Sequence, residues 1–182
     1  TVVACIGDSI TKGERSGDVT RLSYPAQLQA LLGEDYEVLN FGWGGATAQE
    51  GTGNPYKATY QYKTSRVCDP DIVIAMFGHN DAKTSNWDTA NPTAAKAKFK
   101  ADLTELISEY KNMATNPKVY IATPAWALNS ATDTVFASGM MDAIREVASE
   151  LSCEGIRTVF VSFGKDDGKR DLALAQFDKK VH

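Results

Sequence analysis

A serine becomes a nucleophile only when a base takes its proton, and acyl transfer needs hydrogen-bond donors aimed at the oxygen that turns negative. The chain offers both kinds of group at the ends of apolar runs. Val2-Val3-Ala4-Cys5-Ile6 breaks off at Gly7-Asp8-Ser9, which places an acid and a serine at the tip of a strand pattern. Asn40-Phe41-Gly42, Gly78-His79-Asn80-Asp81 and Thr123-Pro124-Ala125 stand at the ends of three more such runs. Gly42 can offer a backbone N–H with no side chain in the way, Asn80 a side-chain amide, and Ser9 its own N–H. There are 2 histidines, His79 and His182, and they are the candidate bases unless a lysine or carboxylate takes that part. Each group also has a plainer reading. Gly-Asp-Ser is good turn chemistry, Gly42 suits a tight turn, and Asn80 suits a turn or cap.

Elements that could hold these residues together are legible in the hydrophobic pattern. Strands are expected at Val2–Ile6, Glu37–Phe41, Asp71–Phe77, Val119–Ala122 and Thr158–Ser162. Asp71–Phe77 is apolar almost throughout, as a strand covered on both faces should be. Helices are expected between them. Ser23 can cap one that carries Pro25 in its first turn and Leu28, Leu31 and Leu32 at helical spacing, with Gly33 ending it. Thr93–Met113 puts Phe99, Leu103, Leu106, Ile107 and Tyr110 on one face, and Val135–Leu151 is a further helix. The interval from Gly42 to Pro70, rich in glycine and tyrosine, reads as a loop-rich excursion. Strands alternating with helices give an α/β fold with a mostly parallel, five-stranded sheet and helices on both faces. In such sheets ligands bind beyond the carboxyl ends of the strands, where Ser9, Gly42, Asn80 and His79 would stand.

Composition narrows the function. A chain of 182 residues with 43% hydrophobic and 23% charged residues is ordinary for one globular domain, here 1–182. Its net charge of -4 comes with no basic stripe, which argues against nucleic acid. No apolar run approaches the roughly 20 residues of a membrane span. Cys5, Cys68 and Cys153 are widely spaced and read as buried or free thiols. No His, Asp, Glu or Cys spacing suggests a metal, and no cofactor is expected. Gly7 to Gly13 with Lys12 looks like a phosphate loop, but Glu14 follows Gly13 where that motif needs Lys.

Taken in order, GDSI at the first strand end, NFG at the second, GHND at the third and a late histidine resemble the SGNH (GDSL-type) hydrolases, over nearly the whole chain. The resemblance implies a flavodoxin-like three-layer sandwich and ester hydrolysis. It makes Ser9 the nucleophile and His182 the general base. It assigns the oxyanion hole to the Ser9 N–H, Gly42 and Asn80, leaves His79 at a variable pocket position, and gives Asp8 a structural hydrogen bond across the strand ends. The last block departs from the family pattern Asp-x-x-His. Lys179 stands three residues before His182, and Asp178 one further back. Lysine cannot accept the imidazole N–H, so either Asp178 orients His182 or the pair works as a Ser–His dyad.

The stretches Gly44-Gly45-Ala46-Thr47, Asn54-Pro55-Tyr56 and Lys83-Thr84-Ser85-Asn86-Trp87 resemble the carbohydrate-acetylesterase branch. That implies an acetylated sugar, or another small ester, as substrate. Trp43, Tyr56, Tyr60, Tyr62, Trp87 and Trp126 are the candidate sugar-packing rings, core packing being the alternative for each. A short-chain esterase, thioesterase or lysophospholipase is the other enzymatic reading, and a carbohydrate-binding relative without catalysis the non-enzymatic one. A secreted or periplasmic setting is favoured over a cytoplasmic one.

Overall fold

The computed structural model describes residues 1–14, 16–127 and 130–158. The first half of the chain forms β1 (Val2–Gly7), α1 (Ser9–Lys12), α2 (Val19–Leu22), α3 (Tyr24–Leu32), β2 (Glu37–Gly42) and α4 (Tyr60–Val67). It continues through β3 (Ile72–Met76), α5 (Pro92–Lys111), β4 (Lys118–Ala122), α6 (Ser130–Val135), α7 (Met141–Glu150) and β5 (Glu154–Ile156). The sheet order is β2-β1-β3-β4-β5 and every pairing is parallel. All strands therefore end on one edge.

Side chains of alternate parity leave the sheet on opposite faces. Ala4, Ile6, Val73, Ala75, Val119 and Ile121 join one apolar cluster with Tyr62 of α4, Phe99, Leu103, Leu106, Ile107 and Tyr110 of α5, and Ile144 and Val147 of α7. Cys5 has the other parity, and its thiol meets Tyr24 of α3. Helices thus cover both faces and the fold is the three-layer α/β sandwich. Ion pairs from Lys96 and Lys100 to Glu146, at 2.7 and 2.9 Å, join α5 to α7. No described helix is long and apolar enough to cross a membrane. Cys5, Cys68 and Cys153 are all free thiols.

Local chemistry explains most element ends. The Ser23 hydroxyl accepts the Ala26 N–H at 3.4 Å and starts α3, with Pro25 in its first turn. Asn91 accepts the Ala94 N–H at 3.4 Å and starts α5. Two expectations need correction and a third lies largely outside the described residues. Among the described residues the fifth strand of the sheet is Glu154–Ile156; of the strand expected at Thr158–Ser162, residues 159–162 lie outside the described part. β5 pairs with β4 from Tyr120 with Glu154 through Ala122 with Ile156, and Lys118 of β4 meets Glu154 at 3.4 Å; Ile156 is its one apolar residue, so its strand signal is weak. The helix expected at Val135–Leu151 is broken: a π-turn at Phe136–Met140 contains Gly139 at φ 140, a conformation costly for any other residue, and α7 begins only at Met141. The Gly42–Pro70 excursion holds α4, capped by Thr59, whose hydroxyl accepts the Tyr62 N–H at 3.1 Å. Only Tyr62 and Ser65 of α4 are buried, so it lacks an aliphatic stripe to announce it.

Candidate active site

Pairing register brings the strand ends together. Gly7 lies opposite Gly42 on one side and Met76 on the other. Ser9 leaves the sheet two residues past Gly7, and Asn80 four residues past Met76, from adjacent strands on the same edge.

Ser9 is the first residue of α1, and Asp8 is its cap. The Asp8 carboxylate accepts the Ile10 N–H at 2.8 Å, and the Asp8 carbonyl accepts the Lys12 N–H at 3.0 Å. Among the described residues the Asp8 carboxylate thus fixes its own helix and makes no bond across the strand ends, which corrects the role expected for it. The first N–H groups of a helix have no intrahelical partner. Neither the Ser9 N–H nor its hydroxyl makes a hydrogen bond among the described residues, and the side chain is half-buried.

Gly42 is where α1 touches β2. A Cβ there would stand 2.1 Å from the Lys12 nitrogen, a backbone atom that cannot move aside. Asn40 reinforces that contact by donating to Lys12 O at 3.3 Å and accepting the Gly42 N–H at 3.0 Å. The Gly42 N–H is therefore committed to Asn40, and would serve an oxyanion only by leaving it. Three residues on, the Gly45 N–H makes no hydrogen bond among the described residues.

The third strand end is the most heavily tied. Asn80 is buried. One of its amide hydrogens goes to Ala46 O at 3.0 Å, and the other has no partner among the described residues. Its backbone carbonyl accepts from the Asn86 amide at 2.8 Å. Asp81 is fully buried, and its carboxylate accepts the Gln49 and Ala48 N–H groups at 2.9 and 3.2 Å. Together Asn80 and Asp81 pin residues 46–49, the loop leaving β2, against the end of β3. Sequence reading passed over Asp81 and Asn40, because their partners are backbone groups without a sequence signature.

Electrostatics follow burial. Loss of water pushes the Asp8 carboxyl up to about 7, partly offset by the Ile10 N–H, with Asp81 and Glu14 adding repulsion and Lys83 opposing it. Burial pushes Asp81 up to about 6 against the Gln49 and Ala48 N–H bonds. His79 is held below its ordinary value, chiefly by burial, against a hydrogen bond with the Ala125 backbone and the charge of Asp133. Its ring meets Phe136 edge-on at 5.3 Å, so the imidazole is packed in place at the third strand end. His182 and Asp178 lie outside the described residues. Among the described residues no three His, Cys, Asp or Glu groups are arranged to hold a metal ion.

The candidate sugar-packing rings divide sharply. Tyr56, Tyr62 and Trp87 are buried in the core. Tyr56 packs edge-on against Phe77 at 5.0 Å, and Tyr62 against Tyr110 at 6.2 Å. Trp43, Tyr60 and Trp126 are exposed. A depression lined by Lys63, Arg66, Asp69, Asn112 and Met113 lies where β3 and β4 begin, at the edge of the sheet away from Ser9, and has no part in the site.

A sequence profile of the GDSL-like lipase/acylhydrolase family matches residues 5–182. The chain belongs to this family. Among relatives of GDSL-like proteins, it is 29% identical over 175 residues to an acetylxylan esterase of Xylanibacter ruminicola, a match covering 84% of this chain and 35% of that protein. It thus spans about a third of that relative's length. Two solved structures share the fold. A carbohydrate acetylesterase family member from Sinorhizobium meliloti aligns with a TM-score of 0.62 at 24% identity, over 86% of this chain and 82% of that one. A two-domain esterase active on acetylated mannans aligns with a TM-score of 0.61 at 20% identity, over 86% of this chain and 37% of that one.

Proposed function

We propose that this GDSL-family chain, acting as one domain over 1–182, is a serine esterase that removes acetyl groups from the hydroxyls of a carbohydrate. The observation that carries the reading is the state of Ser9. It stands at a strand end on a capped turn, with its N–H and hydroxyl uncommitted among the described residues, on the edge where Asn80 keeps one amide hydrogen free. The acetylxylan esterase and the esterase active on acetylated mannans among its relatives favour a sugar as the alcohol.

In this mechanism the Ser9 hydroxyl attacks the acetyl carbonyl while His182, oriented by Asp178, takes the proton. The oxyanion is held by the Ser9 N–H and the Asn80 amide. From the second strand end it also receives either the Gly42 N–H, released from Asn40, or the unengaged Gly45 N–H. His182 passes the proton to the departing sugar hydroxyl, leaving an acetyl-Ser9 ester. Water, deprotonated by His182, then attacks that ester, and acetate leaves as Ser9 regains its proton. No cofactor or metal takes part. A polymeric sugar substrate would place the protein outside the cytoplasm, secreted or periplasmic.

The test is hydrolysis of p-nitrophenyl acetate and of an acetylated xylan, by the wild type and by Ser9→Ala. Turnover of both that vanishes in the variant with its thermal unfolding unchanged is the expected result. Activity on the simple ester alone would make this a short-chain acyl esterase. Binding of xylan without turnover of either would make it a carbohydrate-binding relative. Ser9→Ala at wild-type rate would overturn the nucleophile assignment.

A further inference from the structure

Two of the three tryptophans are exposed, and both stand on the edge that carries Ser9. Trp43 is 37% exposed and directly follows β2, whereas Trp126 is 41% exposed and lies four residues past β4. Trp87 is 1% exposed and belongs to the core. A single exposed apolar ring needs no explanation. These two differ in their placement and in their bracing.

The placement follows from strand order. Trp43 leaves from β2, Ser9 from β1, His79 and Asn80 from β3, and Trp126 from β4. Neighbouring parallel strands are about 4.8 Å apart, so the two tryptophan loops leave the sheet roughly 14 Å apart with Ser9 between them. That separation exceeds one sugar ring.

The bracing holds the backbone of Trp43 and the ring of Trp126 in advance. The Trp43 backbone N–H donates to Gly7 O at 2.9 Å and its carbonyl accepts the Ala46 N–H at 3.1 Å, while the ring itself is met by the Lys12 ammonium 5.9 Å from its centre. Trp126 rests edge-on against buried Phe136 at 6.0 Å, and Phe136 in turn meets His79 at the third strand end. The next residue, Ala127, donates its N–H to the Asp133 carboxylate at 2.8 Å. A large ring held in place loses little freedom when a ligand settles on it. The C–H faces of a pyranose suit the negative face of an indole, while Lys12 and Glu14, paired at 2.9 Å beside Trp43, can meet hydroxyls.

We propose that Trp43 and Trp126 are paired stacking platforms that hold an internal stretch of an acylated polysaccharide across the strand ends, with the acyl group presented to Ser9 between them. This rests on the reading of Ser9 as an esterase nucleophile, and it makes the substrate a chain several sugars long rather than a free sugar.

The experiment has a catalytic arm and a binding arm. In the first, kcat/KM is measured on p-nitrophenyl acetate and on acetylated xylo-oligosaccharides of one to six units, for the wild type, Trp43→Ala and Trp126→Ala. The wild type should gain with chain length up to several units. Each variant should lose about 3- to 10-fold on the long oligomers while staying within about twofold on the simple ester. No gain with length, or an equal loss on both substrates, would overturn the platforms. In the second arm, unacetylated xylo- and manno-oligosaccharides are titrated by calorimetry. Binding that tightens with length and weakens in each variant supports the platforms even if no ester is cleaved, an outcome that would sink the esterase reading alone. Length-independent or variant-insensitive binding, or no binding by the wild type, would overturn the platforms even if the simple ester is turned over. If Trp126→Ala unfolds, Trp126→Leu takes its place, since it fills the space against Phe136 without an aromatic face.

Discussion

Asp8 and Asp81 close the ends of adjacent strands, both buried and both accepting backbone N–H groups, but they act over different distances. Asp8 bonds two residues away, to the Ile10 N–H of its own helix. Asp81 bonds 32 and 33 residues away, to Gln49 and Ala48 on the loop from β2. One builds the turn that carries Ser9. The other ties a remote loop to the strand that carries Asn80. A local cap tolerates an amide in place of the acid, because Asn caps as well as Asp. A clamp between two segments does not, because an amide nitrogen facing an N–H leaves one donor unpaired.

Substitution at Asn80 should have the largest effect around this pair. Asn80→Ala removes the free amide hydrogen and the bond to Ala46, and kcat should fall about 10²–10³-fold with little change in KM. A loss confined to KM would mean that Asn80 binds the ground state and holds no oxyanion. Asp81→Asn comes next. It should lower unfolding stability by about 1–3 kcal/mol and reduce kcat as the loop at 46–49 loosens, both read by chemical denaturation and steady-state kinetics. Unchanged stability would show that the clamp contributes nothing.

Asp8→Asn should cost the least function and sharpens the contrast through pH. The folded-state carboxyl titrates near 7, above its ordinary value of 3.8. Between those values the unfolded chain gives up a proton that the folded chain keeps. Asp8 therefore lowers stability progressively as pH rises from about 4 to about 7, and adds nothing further above that. Asp8→Asn removes this penalty and keeps the cap, so the variant should gain on the wild type across that window and match it near pH 4. Denaturation midpoints at pH 4, 5.5 and 7 check it. Parallel curves would mean that Asp8 titrates normally.

What the sequence disclosed follows a simple rule. β1, β3 and β4 are largely buried apolar runs, β2 is a half-buried one carrying Val38, Leu39 and Phe41, and all four were legible to within a residue or two. β5 was not, because Glu154 and Gly155 join the sheet by backbone pairing without a strand-like side chain. α4 was hidden because its buried face is built from Tyr62 and Ser65, and the break before α7 rests on the backbone of Gly139 alone. The site divides in the same way. Ser9 and Asn80 could be picked out as reactive side chains at strand ends. The Asp81 clamp and the Asn40 tie to Lys12 and Gly42 could not, since the groups they bind are main-chain N–H and C=O. Exposure was equally hidden: Trp43, Trp87 and Trp126 look alike in sequence, and only packing separates the core ring from the two at the edge.

The central claim is that Ser9 is the group that takes the acyl chain. The direct measurement is covalent labelling with a p-nitrophenyl alkylphosphonate, followed by peptide mass mapping of the wild type and of Ser9→Ala. A single stoichiometric adduct on the Ser9 peptide, formed in step with loss of p-nitrophenyl acetate hydrolysis and absent from the variant, is the predicted result. Hydrolysis that persists with Ser9 fully modified, or an adduct that inactivates from another residue, would contradict it.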